Sequence, residues 1–273
     1  MTGNWNAGLL TDKEQILAFL ESDRLYAAYA IGDLEPELYS QCTWSGAEQA
    51  GQVRALGLLF RGFEPPAFFL MGEPQGLEAV LKQNLHPARA CLTCRAEHLA
   101  AVAKYYSWNP EPVAMWRMVF NRKRLPSSAE TCVRMTPRHT GKIQNLIAQA
   151  GISGFAAAQI DRGIFYGIFR NERLVSMAGT HLISPQSGIA AVGNVVTHPN
   201  ARGQGLGTVV VGAVLSELVR INIRDIVLNA RQENTPALHL YEKLGFERYG
   251  AFFEGPVSIR EAGSAPEGND AKP

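Results

Sequence analysis

The sequence has few of the features that mark specialised classes of protein. Its 273 residues include only four cysteines, too few for a disulfide scaffold, and its net charge of +1 indicates no nucleic-acid or membrane surface. No apolar run approaches the ~18 residues that cross a bilayer, and the first residues lack the basic and then apolar order of a leader. With 46% hydrophobic and 19% charged residues, the composition is that of a globular protein. We therefore expect a reduced, cytoplasmic protein that binds neither nucleic acid nor membrane.

The length suits two domains, and the composition places a boundary between them. Residues 121–130 combine a basic cluster with Pro and Ser, which favours a linker, although a solvated loop inside one domain remains an alternative. Residues 1–124 mix helices and strands but have no glycine-rich turn between a strand and a helix. We expect a second domain at 131–260, and a disordered tail at 261–273, where Gly, Ser and Pro dominate.

Hydrophobic periodicity predicts a regular alternation of strands and helices in the second half. A hairpin with its turn at Asn171 and Glu172 should precede a longer strand that ends near Thr197. The predicted elements are a strand at 131–135, helices at 138–150 and 153–160, strands at 163–169, 173–180, 188–197 and 226–228, helices from Leu206 and from Asn234, and one or two strands at 246–253.

One turn of this half has the properties of an anion site. Between the strand ending at Thr197 and the helix starting at Leu206, three glycines alternate with other residues, and Arg202 stands beside them. Such a turn presents backbone N–H groups and the positive end of a helix dipole to one point. The P-loop motif is excluded because the turn lacks its spacing and its Lys-Ser/Thr ending. The dinucleotide motif G-x-G-x-x-G is excluded because Thr208 occupies the place of its third glycine.

The remaining pattern, Val-x-Thr-x-Pro-x-x-Arg-Gly-x-Gly-x-Gly from Val195 to Gly207, resembles the acetyl-coenzyme A loop of the GCN5-related N-acetyltransferases. A second match follows downstream, where Asn234 to Phe246 fit the family's Asn-x-x-Ala-x-x-Leu-Tyr-x-Lys-x-Gly-Phe signature. The resemblance covers roughly residues 131–255. It implies an α/β fold with a central, mostly antiparallel mixed sheet flanked by helices. The first half is expected to be a degenerate copy of this fold without a coenzyme loop, or else an unrelated cap.

The resemblance also implies how acetyl-CoA, the expected cosubstrate, would bind. The pyrophosphate would lie on the backbone amides of the turn, and the pantetheine arm would pair with the splayed strand and pass near the start of the last helix. The coenzyme-binding residues expected on this basis are Val195, Val196, Thr197, Arg202, Gly203, Gln204, Gly205, Leu206, Gly207, Thr208 and Asn234. No metal is expected.

Three side chains are candidates for the chemistry. Tyr241 is expected to donate a hydrogen bond to the departing sulfur; the alternative is a core tyrosine on an apolar helix face. Many relatives carry a glutamate base on the strand before the turn, but this chain has Asn194 there, which could orient the amine or a water but cannot accept its proton. His181 has a suitable pKa for the base, while a satisfied core or rim histidine and a water chain without a dedicated base remain open.

These features predict an enzyme that moves an acetyl or short acyl group from the CoA thioester to a primary amine of a small-molecule or amino-acid-like acceptor by direct attack. The alternative is a non-catalytic acyl-CoA-binding or sensing module. We expect a monomer or homodimer. Cys91 and Cys94 form a lone C-x-x-C, and without a second ligand pair they favour neither zinc nor redox chemistry.

Overall fold

The structure is a computed structural model that describes residues 4–83, 87–121, 131–151, 155 and 157–260. They form two compact units. Unit 1 comprises Met1–Asp23, Asp33–Met115 and Ala251–Pro273, and unit 2 comprises Arg24–Gly32 and Trp116–Gly250. This division differs from the expected contiguous ranges 1–124 and 131–260. Both the proposed linker at 122–130 and the proposed tail at 261–273 lie outside the described residues.

The elements are numbered in chain order. The helices are α1 (Lys13–Leu20), α2 (Ala28–Gly32), α3 (Pro36–Tyr39), α4 (Pro74–Gln83), α5 (Leu99–Tyr105), α6 (Thr140–Gln149), α7 (Ala158–Arg162), α8 (Leu206–Arg220) and α9 (Thr235–Lys243). The strands are β1 (Asn6–Leu9), β2 (Cys42–Gln49), β3 (Gln52–Phe60), β4 (Ala67–Gly72), β5 (Arg89–Cys94), β6 (Tyr106–Trp108), β7 (Val113–Phe120), β8 (Val133–Arg134), β9 (Phe165–Arg170), β10 (Arg173–Ser184), β11 (Ile189–Thr197), β12 (Asp225–Arg231) and β13 (Phe246–Ile259).

Unit 1 is built on a mostly antiparallel sheet in the order β1, β2, β3, β4, β5 and then the second part of β13. Only the pair β4 and β5 is parallel among its registered pairs. The residues of β13 from Phe253 pair with β5, and Val257–Ile259 also pair with β6. This pairing is the reason that the second part of β13, from Ala251, belongs to unit 1, whereas Phe246–Gly250 belong to unit 2. Leu56, Leu77 and Leu92 are fully buried in this unit.

Unit 2 contains β13, β7, β12, β11, β10, β9 and β8 in that order. Strands β8 to β11 form an antiparallel run, and β11 and β12 are parallel. Helix α8 buries one face on this sheet, with Val210, Val214 and Leu218 fully enclosed at helical spacing. The predicted mixed, mostly antiparallel sheet flanked by helices is confirmed.

The hairpin between β9 and β10 turns where the sequence predicts it. Arg170 pairs with Arg173, so Asn171 and Glu172 form a two-residue loop, and both have positive φ angles, 47° and 62°. These angles are typical of the primed turns whose twist matches paired strands. Three consecutive antiparallel strands therefore lead the chain to Thr197, as predicted. Within the described residues, no helix is both long and apolar enough to span a membrane.

Candidate active site

Strand β11 is irregular just before the glycine turn. Met177 of β10 faces Val196, but Gly179 faces Gly193, so β11 carries one extra residue between these two pairs. Asn194 lies in this bulge with a φ of 51°, a left-handed conformation that asparagine tolerates better than most residues. A bulge re-aims the backbone locally and is common next to active sites. The strand register therefore places a bulge directly before the glycine turn.

The two parallel strands of unit 2 part at the same level. The pairing of β11 with β12 runs from Ile189 with Asp225 to Val192 with Leu228 and ends there. Beyond it, β11 continues to Thr197 and β12 to Arg231 without registered partners for each other. An unpaired strand edge can take up an extended, amide-bearing ligand by β-addition. The structure therefore provides the splayed edge expected at Val195–Thr197.

The turn after Thr197 is exposed, and hydrogen bonds made by His198 and Arg202 hold it in place. The His198 N–H donates to Val175 O at 2.8 Å, and Arg202 Nε donates to Thr197 O at 3.3 Å. Gly203 and Gly205 both have a φ of 76°, and a Cβ atom on either would meet nothing within 4 Å. Glycine is thus required at these positions by backbone conformation, and the space in front of them is open. The carboxamide of Gln204 accepts a hydrogen bond from Arg170.

Helix α8 begins directly behind this turn. Its N-cap is Gly205, which supplies no side-chain cap, so the first N–H groups of α8 have no capping acceptor from that residue. Leu206 is buried, and a Cβ on Gly207 would lie 2.8 Å from Leu240 of α9, which places α9 against the start of α8. An uncapped N-terminus, left-handed glycines and an exposed Arg202 together suit a phosphate.

Helix α9 carries the two downstream candidates. Asn234 is its N-cap and accepts a hydrogen bond from the Ala237 N–H at 3.3 Å. Tyr241 is 8% exposed and packs edge-on against Phe246, with ring centroids 5.9 Å apart. Burial raises the pKa of Tyr241 to about 12. Among the described residues, no group forms a hydrogen bond with the Tyr241 hydroxyl. The ring of Tyr241 therefore packs in the core, while its hydroxyl is available as a hydrogen-bond donor.

His181 lies on β10 opposite the bulge. A Cβ on Gly193 would be 2.2 Å from His181 Nε2, so the imidazole occupies the space that a side chain at Gly193 would need. His181 retains solvent access but lies among many protein atoms, and this desolvation lowers its pKa, while a hydrogen bond with the Asn194 side chain acts in the opposite direction. The Asn194 Nδ2 in turn donates to Gln159 Oε1 at 3.4 Å. The structure thus brings His181 and Asn194 together.

The sequence analysis missed one neighbour of this pair. The Tyr29 hydroxyl lies 3.1 Å from His181 Nδ1. Tyr29 belongs to α2, and the segment Arg24–Gly32 is part of unit 2 although it comes from the first half of the chain. No local sequence signal links Tyr29 to a histidine 152 residues away.

The remaining candidates lie elsewhere. Cys91 and Cys94 both stand on β5, three positions apart, and point to opposite faces because side chains alternate along a strand. Burial raises the pKa of the Cys91 thiol to about 11 and that of Cys94 to about 12, so neither is a thiolate at neutral pH.

The fold and the site define an α/β protein in which a parallel strand pair splays apart and an open, glycine-rich turn leads into a helix. A family model described as FR47-like protein matches residues 165–253. Over 89 residues, 31% of this chain, the sequence is 34% identical to a mycothiol acetyltransferase of Geodermatophilus obscurus, covering 29% of that protein. Over 92 residues, 34% of this chain, it is 28% identical to the [ribosomal protein bS18]-alanine N-acetyltransferase of Escherichia coli, covering 60% of it.

Both curated matches are partial, since the chain spans 29% and 60% of those two relatives. A tandem GNAT protein from the clavulanic acid biosynthesis pathway matches the structure along almost its whole length. Its TM-score is 0.57 at 15% identity, with 96% of this chain and 100% of that chain covered, which shows a shared fold. Residues 165–253, which the FR47-like model matches, contain both the glycine turn and the motif around Tyr241, so this part of the chain is similar to that family.

Proposed function

We propose that this protein is an N-acyltransferase that moves an acetyl or short acyl group from a CoA thioester to a primary amine of a small-molecule or amino-acid-like acceptor. The observation that carries the proposal is the open turn at Gly203 and Gly205, which joins the splayed end of β11 to the uncapped start of α8. The splayed end of β11 could pair with the extended pantetheine arm, and the turn next to it could hold the pyrophosphate.

The residues present fit acetyl-CoA. A Cβ atom at Gly203 or Gly205 would have no other protein atom within 4 Å. A phosphate could therefore approach the backbone at both residues. Arg202 is exposed beside it. The amides from Arg202 to Thr208 would hold the pyrophosphate, and Val195 to Thr197 would pair with the pantetheine arm. Asn234 would lie where that arm passes the start of α9.

The described residues of unit 1 do not form a corresponding cradle. Helix α4 connects its parallel strands β4 and β5, but a single residue, Glu73, separates β4 from α4, and α4 begins with Pro74, which has no N–H. The ring of Trp5 fills the space beside Gly76 in the first turn of α4. These features support the view that unit 1 is a copy of the fold that has lost the coenzyme loop.

The proposed chemistry assigns one task to each candidate. A backbone N–H near Val195, turned by the bulge, would stabilise the tetrahedral oxyanion. Tyr241 would donate a hydrogen bond to the departing sulfur. Full proton transfer from a tyrosine of pKa about 12 to a thiolate of ordinary pKa would be uphill by about 5 kcal/mol, so Tyr241 acts as a donor and not as the acid. His181 would take the proton of the amine, and Asn194 would orient it.

Binding and turnover are tested separately. Thermal shift with acetyl-CoA and with free CoA should stabilise the protein, and a panel of primary amines, with thiol release as the readout, should show turnover for at least one acceptor. The rival hypothesis, an acyl-CoA sensor, is favoured by the missing strand glutamate at position 194. Tight acetyl-CoA binding without thiol release from any amine would establish the sensor and reject the enzyme.

A further inference from the structure

Tyr29 and His181 form a hydrogen-bonded pair beside the bulge of β11. The Tyr29 hydroxyl lies 3.1 Å from His181 Nδ1, and the two rings are tilted by 53° with centroids 6.2 Å apart. The histidine stands at a register irregularity of β10, between Thr180 and Leu182, facing the bulge of β11. The pair therefore lies at the point where the proposed reaction takes place.

Three independent contacts within unit 2 fix the segment that carries Tyr29. At its start, Arg24 Nε forms a 2.7 Å ion pair with Asp225, the first residue of β12, with both side chains less than 20% exposed. In the middle, the buried Arg117 donates to Tyr26 O at 3.2 Å. At its end, a Cβ on Gly32 would lie 2.1 Å from Leu182, the residue after His181, so α2 packs directly on β10.

The hydrogen bonds around the imidazole have one consistent direction. Asn194 Nδ2 donates to Gln159 Oε1, and because the Asn194 hydrogen bond raises the pKa of His181, we infer that Asn194 Oδ1 accepts from the ring. His181 then carries its proton on Nε2, and Nδ1 accepts from the Tyr29 hydroxyl. In this arrangement both ring nitrogens are engaged, and a proton from outside reaches Nδ1 by way of the Tyr29 oxygen.

We propose that Tyr29 and His181 form a proton relay for the acceptor amine, with Tyr29 as the group that meets the amine. The ammonium gives one proton to the Tyr29 oxygen while the Tyr29 proton passes to His181 Nδ1. The products are a neutral amine, a neutral tyrosine and an imidazolium whose Nδ1–H donates to Tyr29 and whose Nε2–H donates to Asn194. The imidazolium later returns its proton to solvent through its accessible edge. The inference rests on the proposed function, because it needs an amine acceptor.

The surroundings of His181 contain few charges. Asn194 and Gln159, which face it from β11 and α7, are neutral, and Arg117 of β7 stacks on the Tyr29 ring, with its guanidinium carbon 4.8 Å from the ring centroid. Asp161 and Arg162 of α7 are exposed. Desolvation lowers the pKa of His181, which keeps it neutral and able to accept a proton at physiological pH.

The first test compares thiol release by the wild type and Tyr29→Phe between pH 6 and 10, with an amine that the wild type uses. We expect kcat of Tyr29→Phe to fall about 10- to 100-fold at pH 7, with KM for acetyl-CoA unchanged. The deficit should shrink as pH rises, because the amine then loses its proton without the relay. The double variant Tyr29→Phe/His181→Gln should lose no more than the worse single variant. Tyr166→Phe, which removes a tyrosine hydroxyl bonded to Glu217 elsewhere in unit 2, is the matched control and should retain full turnover.

The second test does not depend on turnover. Nitrogen NMR of the imidazoles, with His181→Gln to assign the signal, should show the Nε2–H tautomer in the wild type and a mixture in Tyr29→Phe. An Nδ1–H tautomer in the wild type, or a Tyr29→Phe deficit that stays constant with pH, would overturn the relay while leaving the acyltransferase intact. A wild type without turnover on any amine would instead reject the proposed function itself.

Discussion

Gly193→Ala is the sharpest perturbation of the site, because glycine is needed there for space and not for backbone conformation. A Cβ at this position would lie 2.2 to 2.4 Å from three ring atoms of His181. Ordinary carbon contacts begin near 3.5 Å, so the imidazole must retreat by about 1 Å or rotate away. Either movement breaks its 3.1 Å hydrogen bond with Tyr29. The variant therefore displaces His181 without changing it chemically.

Gly193→Ala should lower the stability only slightly but lower kcat strongly. Since His181 has solvent access, the ring can swing outward, and the loss of stability should be about 1 kcal/mol, the value of one hydrogen bond, rather than the full cost of overpacking a closed core. A displacement of about 1 Å in a group that handles the proton should lower kcat by up to about 100-fold. Acetyl-CoA affinity should not change, because the glycine turn is untouched.

Thiol release measures the activity, and urea unfolding measures the stability. Gly141→Ala is the control, since a Cβ there would meet no atom within 4 Å and the position is in α6; it should gain roughly 0.5–1 kcal/mol and keep full activity. The stability cost of Gly193→Ala should disappear in a His181→Ala background. A cost that persists in that background, or a Gly193→Ala enzyme with the kcat of the wild type, would refute the steric argument.

Three further variants test other parts of the structure. Tyr241→Phe should lower kcat about 10-fold or more with unchanged acetyl-CoA affinity by calorimetry, because only a hydrogen bond to a developing charge is lost; equal loss of binding would make Tyr241 structural. Gly203→Glu should weaken acetyl-CoA binding at least about 10-fold, through backbone strain and the added negative charge. Its control is Gly51→Glu, at a φ of 75° with equally open space, which should cost similar stability and leave binding intact. Burial raises the pKa of Asp33 from 3.8 to about 7. Between these two pKa values the folded chain keeps a proton that the unfolded chain loses, so the stability falls as the pH rises from about 4 to about 7. Asp33→Asn should therefore raise Tm at pH 8 but not at pH 4, and an equal change at both would contradict the shift.

Several elements could be predicted because their signals are local. The glycine turn needs positive φ angles at Gly203 and Gly205, and only glycine adopts them freely, so the sequence marks the turn directly. The hairpin at Asn171 and Glu172 and the cap of α9 by Asn234 are encoded by neighbouring residues in the same way. The apolar periodicity of α8 predicts its buried face.

Other elements carry weak local signals and were missed. Strand β2, Cys42–Gln49, is polar in composition, yet its middle is buried because its neighbours cover both faces. Strand β5 was not predicted either, and its two cysteines drew attention to ligand chemistry although they only pack. The C-terminal strand was expected in the second domain, but pairing with β5 and β6 places its second part, from Ala251, in unit 1.

By itself, the sequence determined the glycine turn and the motif around Tyr241, because backbone conformations and helix faces depend on residues close together in the chain. Only the tertiary structure decided that β11 and β12 part after Val192, that Gly193 makes room for His181, and that Tyr29 meets this histidine. Those contacts join residues far apart in sequence, and they depend on strand register and on the packing of α2, which no local pattern records.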